Sequence, residues 1–346
     1  MRNKTIHLNG TLYGVSEIQA KLDLSLPDWE RAIFNFLLEW FSSSETIEVL
    51  TSGSTGTPKV IHREKKHVQE SAMMTGDFFS FTPSQSALLC LPAQYIGGKM
   101  MLVRAIEWEL ELDYIAPKTA LDIPDKTYHF SAMTPQQIAG SIQNISNIKT
   151  IIIGGAPINS VLEKRLIPLP THLYATYGMT ETVSHIALRK LTKNGNETYT
   201  ALPKVSFSTD SNSCLIISAP TLLEHPITTT DIVKLIDTTS FNWIGRSDFI
   251  INSGGLKISP EKLEAATSHL FSSAYFFFGK PDEKWGNKVI LLVEGIPYNT
   301  DRLHTELASV LSSYQVPKEI IFIPKFIRTV NGKLNRIASA SSQTKD

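Results

Sequence analysis

Apolar residues first recur at helical spacing between positions 28 and 40, where Trp29, Ile33, Phe36, Leu37 and Trp40 follow Pro27. That spacing predicts an amphipathic packing helix. The short run Ile47-Glu48-Val49-Leu50 then predicts a buried strand. Beyond it the pattern alternates, with helices predicted over 67–79, 99–108 and 135–142 and strands over 87–91, 129–133 and 150–153. Such alternation predicts an α/β sheet with crossover helices. From about Cys214 the chain becomes strand-rich, and Trp243-Ile244-Gly245-Arg246-Ser247-Asp248 reads as a junction before a small α+β unit. That unit should hold a helix capped by Ser259 with Pro260 at its first position, strands near 274–278 and 289–293, a helix around 301–311 and a strand at 320–323. The small and polar residues 338–346 read as a frayed end.

At 346 residues there is material for one large domain and a smaller one. Lys+Arg and Asp+Glu are both 33, so no basic excess points to nucleic acid or an anionic membrane as partner. No apolar run approaches the roughly 18 residues of a membrane span, and the amino terminus lacks the apolar core of a signal peptide. These features predict a cytoplasmic protein. Cys90 and Cys214 sit in apolar segments without a CxxC pattern and read as core thiols.

Candidate chemistry begins directly after the strand at 47–50, with Thr51, Ser52, Gly53, Ser54, Thr55, Gly56, Thr57, Pro58 and Lys59. Two glycines let the backbone approach a ligand, the hydroxyls offer short donors, and Lys59 adds a positive charge, which together suit a phosphate loop. Pro58 and Val60 flank the lysine where a Walker loop has Gly and Ser/Thr, so this is a different nucleotide chemistry. A second turn, Tyr177-Gly178-Met179-Thr180-Glu181, sets a hydroxyl beside a carboxylate. The pair suits a phosphate and a magnesium ion, and taken alone it suits a solvated loop equally well.

Six segments in order resemble the motifs of acyl-adenylate-forming enzymes: Thr51 to Lys59, Tyr177 to Glu181, Asp231 in Thr-Thr-Thr-Asp-Ile-Val, Gly245-Arg246-Ser247-Asp248, Ser253-Gly254-Gly255-Leu256-Lys257-Ile258, and Asn331-Gly332-Lys333-Leu334-Asn335-Arg336. The resemblance implies an α/β fold with a large adenylate-forming N-terminal domain of mixed sheets and helices, 1–245, and a small mobile α+β C-terminal domain, 246–346. It implies ATP, Mg2+ and CoA, with a carboxylate activated as acyl-AMP and passed to the CoA thiol. The 51–59 loop would hold the β and γ phosphates, Thr180 the α-phosphate and Glu181 the magnesium. Gly154-Gly155-Ala156-Pro157 would lie against adenine, Asp231 would take the ribose diol, and Arg246 would share ribose or phosphate contacts. Lys333 would be the catalytic lysine, Asp248 the hinge, and Gly254 and Gly255 would line the pantetheine path. Val60 and Phe249 depart from the usual motif, and only 50 residues precede the phosphate loop, fewer than in larger relatives. The condensed start leaves the outer wall of the acyl pocket and the oligomeric state open, a homodimer among the options.

The stretch Thr180-Glu181-Thr182-Val183-Ser184-His185-Ile186-Ala187 most resembles the o-succinylbenzoate CoA ligases of menaquinone biosynthesis. Their acid has a second carboxylate that stays unreacted, so the resemblance implies a cation or hydroxyl cluster away from the phosphates. Arg104, Ser184 and His185 are the candidates, with Arg189 a further cation. Another aryl or acyl acid ligase, or a nucleotide-binding protein without catalysis, are the other readings.

Overall fold

The computed structural model describes residues 4–51, 59–328 and 334–341. Thirteen strands form one sheet in the order Ser206–Thr209, Cys214–Ser218, Ile227–Asp237, Ser240–Arg246, Thr198–Ala201, His185–Lys190, His172–Gly178, Ile148–Ile153, Tyr128–Met133, Ser86–Leu89, Glu111–Tyr114, Ile6–Leu8 and Thr11–Tyr13. The run from His172–Gly178 to Ile6–Leu8 is parallel, and the strands from His185–Lys190 outward pair antiparallel.

The parallel half explains why its strands read as unbroken apolar runs. Alternate side chains face two separate cores: Ile152 and Phe130 join one, built with helices Asp28–Phe41, Lys65–Phe79 and Ile96–Glu107, while Ile151 and Ile153 join the other, with helices Pro135–Ser141 and Ser160–Leu166. A strand covered on both faces needs apolar residues at every position.

Ser86–Leu89 is followed in sequence by its neighbour on one side, Glu111–Tyr114, and then by its neighbour on the other, Tyr128–Met133. A crevice beyond the carboxyl ends of strands at such a reversal is where open α/β sheets take ligands. The strand Thr46–Thr51 pairs antiparallel with Lys59–Glu64 in a separate hairpin, and Leu50 makes a parallel bridge to Tyr95. The stem of the 51–59 loop therefore stands beside the segment that leaves the central strand. Residues 52–58 of that loop lie outside the described residues.

The amino-terminal region is built into the main sheet through Ile6–Leu8, which pairs with Glu111–Tyr114. A second, five-stranded sheet contains Ile251–Ser253, Leu256–Ile258, Tyr275–Asp282, Gly286–Glu294 and Glu319–Ile323. Helices Pro260–Thr267 and Thr300–Val310 pack on one face through Leu263, Leu303 and Leu307, while Phe276, Ile290, Leu292 and Phe326 form a core on the other. The predicted cap is present, with the Ser259 hydroxyl accepting from the Lys262 amide at 3.4 Å. Ser259 also donates to the Ile244 carbonyl at 3.0 Å, joining the second sheet's first helix to the main sheet. Both cysteines are buried, and burial pushes the Cys90 thiol up to about 12. Among the described residues no helix is long and apolar enough to cross a membrane.

Candidate functional site

The predicted adenine loop leaves the end of Ile148–Ile153, where Gly154 donates its amide to the Met133 carbonyl at 3.0 Å. A Cβ on Gly154 would meet Thr176 Oγ1 at 2.6 Å, so glycine is required by the neighbouring strand. Gly155, at φ +83, turns the chain through the left-handed region. Gly155, Ala156 and Pro157 are exposed, which leaves an edge with little side-chain bulk facing solvent.

The adjacent strand His172–Gly178 brings Tyr177 toward Asp231. The Tyr177 hydroxyl donates to Asp231 Oδ2 at 2.6 Å, and Trp243 Nε1 donates to Oδ1 at 3.1 Å. Burial and the Asp231 carboxylate push the Tyr177 hydroxyl up, so the phenol stays protonated and remains the donor. Each carboxylate oxygen has a second lone pair, and Asp231 can still accept from a vicinal diol. Arg246 is its partner in the antiparallel register. Its Nη2 donates to Asp248 Oδ2 at 2.6 Å, which places the predicted ribose, phosphate and hinge residues along one strand end.

Past Gly178 the chain folds into a turn organised by Thr182. This fully buried hydroxyl accepts from the Met179 amide at 3.0 Å and lies 2.8 Å from the Ser184 carbonyl. A Cβ on Gly178 would lie 2.4 Å from that same carbonyl. The turn leaves Thr180 and Glu181 exposed, where a hydroxyl and a carboxylate can reach a ligand. One accessible carboxylate suits Mg2+, which keeps its waters and shares its remaining positions with substrate phosphates. Among the described residues there is no cluster of three or more His, Cys, Asp or Glu that could hold a metal alone.

Behind this turn lies a polar chain within the apolar core. Arg104, 1 % exposed on helix Ile96–Glu107, reaches Ser184 Oγ at 3.4 Å through Nη2. Ser184 Oγ is 3.4 Å from His185 Nδ1, His185 Nε2 is 3.5 Å from Thr75 Oγ1, and Thr75 donates to the Ser71 carbonyl at 3.0 Å. Because Thr75 spends its proton on Ser71, the network assigns the proton of His185 to Nε2 and makes Nδ1 an acceptor for Ser184. Burial, followed by the Arg104 charge, holds His185 well below the usual histidine range, so the ring is neutral. Burial pulls the Arg104 guanidinium down to about 9, and its Nε is buried without a partner. Among the described residues no carboxylate pairs with Arg104. A buried cation without a counter-charge carries a desolvation cost that an anionic ligand would offset.

Arg189 is arranged otherwise. Both its terminal nitrogens bond Glu163, at 2.7 and 2.9 Å, so it anchors helix Ser160–Leu166 and is committed. Trp243 and Thr75 join the site through strand register and helix packing, which short motifs do not encode. Gly254 and Gly255, at φ +57 and +82, form the two-residue turn between Ile251–Ser253 and Leu256–Ile258. That turn type itself demands glycine-like residues. Lys333 lies outside the described residues. A cleft of about 280 Å3 beside the loop stem is lined by Phe36, Glu39, Leu50, Gln94 and Lys99. Neither that cleft nor a second of about 440 Å3, between residues 66–70 and 220–224, is lined by a predicted site residue.

Residues 48–221 match the model of the AMP-binding enzyme family. The 2-succinylbenzoate–CoA ligase of Listeria monocytogenes is 29 % identical over 339 residues, covering 87 % of this chain and 71 % of that protein. Among solved structures, an acyl-CoA synthetase (AMP-forming)/AMP-acid ligase II-like protein from Dyadobacter fermentans is 32 % identical, with a TM-score of 0.63 and coverage of 95 % of this chain and 98 % of that one. The o-succinylbenzoate coenzyme A synthetase from Bacillus subtilis, solved with ATP and magnesium, shares the fold at 18 % identity and a TM-score of 0.73, over 85 % of this chain and 69 % of that one. The matched span holds the loop stem, the Gly154-to-Pro157 edge and the Thr180–Glu181 turn, and the chain belongs to the AMP-binding enzyme family as an AMP-forming ligase.

Proposed function

We propose that the chain is an ATP-dependent acyl-CoA ligase whose acid is o-succinylbenzoate, the aromatic dicarboxylate of menaquinone biosynthesis. The observation that carries this reading is Arg104: a buried guanidinium with no carboxylate partner among the described residues, bonded to Ser184 in the segment that follows Thr180 and Glu181. A site for a monocarboxylate has no use for that charge, whereas the unreacted carboxylate of a dicarboxylate supplies its counter-ion. The names of the Listeria and Bacillus relatives support the same acid.

In the first half-reaction the acid's carboxylate attacks the α-phosphate of ATP and pyrophosphate leaves. The 51–59 loop would hold the β and γ phosphates, Thr180 would bond the α-phosphate, and Asp231, held by Tyr177 and Trp243, would accept from the ribose hydroxyls. Adenine would lie on the edge formed by Gly154 to Pro157. Glu181 would hold Mg2+, which when bound neutralises phosphate charge. Lys333 would place its charge on the oxygens that become more negative during attack. In the second half-reaction the CoA thiol displaces AMP to give the thioester. The part of the chain that follows Asp248 would turn about that residue between the two steps, bringing the Gly254-Gly255 turn to the thiol's path. The reading places the enzyme in the cytoplasm.

The test is thioester formation with ATP and CoA across a panel of acids. o-Succinylbenzoate should exceed benzoate in kcat/KM by on the order of a hundredfold, the scale of one unpaired buried charge. Equal use of benzoate or a fatty acid would remove the dicarboxylate assignment and leave an acyl or aryl ligase of another acid. Absence of acid-dependent pyrophosphate release with every acid would remove the ligase chemistry itself.

A further inference from the structure

Phe249 stands directly after Asp248, and two guanidiniums lie against its ring. Arg246 Cζ is 5.7 Å from the ring centroid and Arg336 Cζ is 5.3 Å from it. The two arginines belong to different bodies of structure. Arg246 ends the strand Ser240–Arg246 of the thirteen-stranded sheet, in register with Asp231. Arg336 begins helix Arg336–Ser341 and is fixed to the five-stranded unit: Nη1 and Nη2 donate to Glu264 at 2.8 and 2.6 Å, Glu264 also accepts from the Phe277 amide at 3.0 Å, and the guanidinium lies 5.7 Å from the Phe276 ring. Phe249 itself is half-buried in the short 3-10 turn Ser247–Phe249.

We propose that Phe249 is a positioning residue, its ring a contact between Arg246 and Arg336 that favours the present arrangement of the two sheets over one turned about Asp248. The proposal rests on the ligase reading, because two half-reactions are what two arrangements would serve. The backbone decides which contact survives a turn. Phe249 lies on the Arg336 side of Asp248, so rotation at Asp248 carries ring and Arg336 together and withdraws the ring from Arg246. A contact made in one arrangement only biases the equilibrium between them, and an interaction retained in both does not. The Arg246–Asp248 ion pair also lies at this junction, but its side chains are 43 % and 41 % exposed, so solvent weakens it. The ring adds a second contact to the same guanidinium, held by the ring quadrupole. Leu334, two residues before Arg336, bridges to Arg328, and Asn335 donates its amide to Ile327 at 2.9 Å, so whatever fixes Arg336 also fixes the end of the Asn331–Arg336 motif.

The experiment compares Phe249→Leu and Phe249→Tyr with the unaltered protein in two separate assays. One measures acid-dependent pyrophosphate release without CoA, the other CoA-dependent thioester formation from supplied acyl-adenylate. Phe249→Leu keeps an apolar side chain and removes the ring, and should change the ratio of the two rates by about threefold, with an unchanged melting temperature. Phe249→Tyr should keep the original ratio. An unchanged ratio in Phe249→Leu, an equal fall of both rates, or the same shift in Phe249→Tyr would overturn the proposal. If the unaltered protein releases no pyrophosphate with any acid, the ligase reading fails first and this inference with it, a result separable from an effect of the variants.

Discussion

Arg104 and Arg336 show two ways of burying a guanidinium. Arg336, with its side chain 16 % exposed, meets Glu264 through two bonds and lies against the rings of Phe249 and Phe276. Arg104, more deeply buried, meets one hydroxyl, one thioether and no carboxylate among the described residues. Around Arg336 the charge is compensated within the fold, and its work is to join the carboxyl-terminal helix to the second sheet. Around Arg104 the described residues leave the charge uncompensated and the nearest titratable ring neutral, which is the setting the proposed second carboxylate would complete. A paired buried charge is read as architecture, and an unpaired one, set behind an exposed Thr-Glu turn, as a binding site.

Breaking the paired site should give the largest effect. Glu264→Leu leaves Arg336 without its counter-ion and should cost about 3–5 kcal/mol of folding stability, measured by urea unfolding. Adding Arg336→Met should return most of that loss, and failure of the second substitution to recover stability would mean that the pair does more than compensate charge. Burial raises Glu264 to about 7 even beside Arg336, so desolvation outweighs the attraction of its partner.

The next effect depends on pH. His185 titrates in the fold well below its ordinary value, so its neutral form contributes stability that is present above about pH 6.5 and lost as pH falls toward the folded value. The loss approaches about 1.4 kcal/mol per pH unit. His185→Gln should flatten the decline in stability between pH 6.5 and 5 relative to the unaltered protein; parallel curves would contradict a buried neutral histidine.

Tyr177→Phe removes one donor to Asp231 and should cost about 1 kcal/mol of nucleotide binding, seen as a several-fold rise in the KM for ATP with kcat less affected. The smallest effect is expected for the stability of Arg104→Met. Removing an unpaired buried charge should leave stability unchanged or slightly raised, whereas a loss of several kcal/mol would place Arg104 in the same class as Arg336.

The parts legible in the sequence are those whose local pattern and tertiary surroundings agree. The run Ile151-Ile152-Ile153 announces a strand because both its faces are covered, and Ser259-Pro260 announces a helix start because the cap is local. Ile6–Leu8 has only three residues and gains its strand identity from pairing with Glu111–Tyr114, a partner the local pattern does not reveal. The strand Lys59–Glu64 carries Lys, His, Arg and Glu and is a strand because Thr46–Thr51 pairs with it.

The site divides in the same way. The glycine turns and the Thr180–Glu181 pair are short motifs and could be read directly. The Tyr177–Asp231–Trp243 cluster could not, because the register of Ile227–Asp237 against Ser240–Arg246 shifts between Ile232 and Val233. Arg104 was visible as a helix residue, but Gly98 to Ala105 are all buried, so no amphipathic face indicates which way its side chain points. Arg189, the further cation, is occupied by Glu163, a pairing across helix and strand that the local pattern does not show.

The most direct test is the preference of Arg104→Met for o-succinylbenzoate over benzoate, measured as a ratio of kcat/KM values in ATP- and CoA-dependent thioester formation. The substitution should lower the ratio by roughly a hundredfold, the scale of losing the partner of a buried charge, while activity with benzoate persists. An unchanged ratio in a folded, active Arg104→Met protein would show that the buried guanidinium does not hold the second carboxylate.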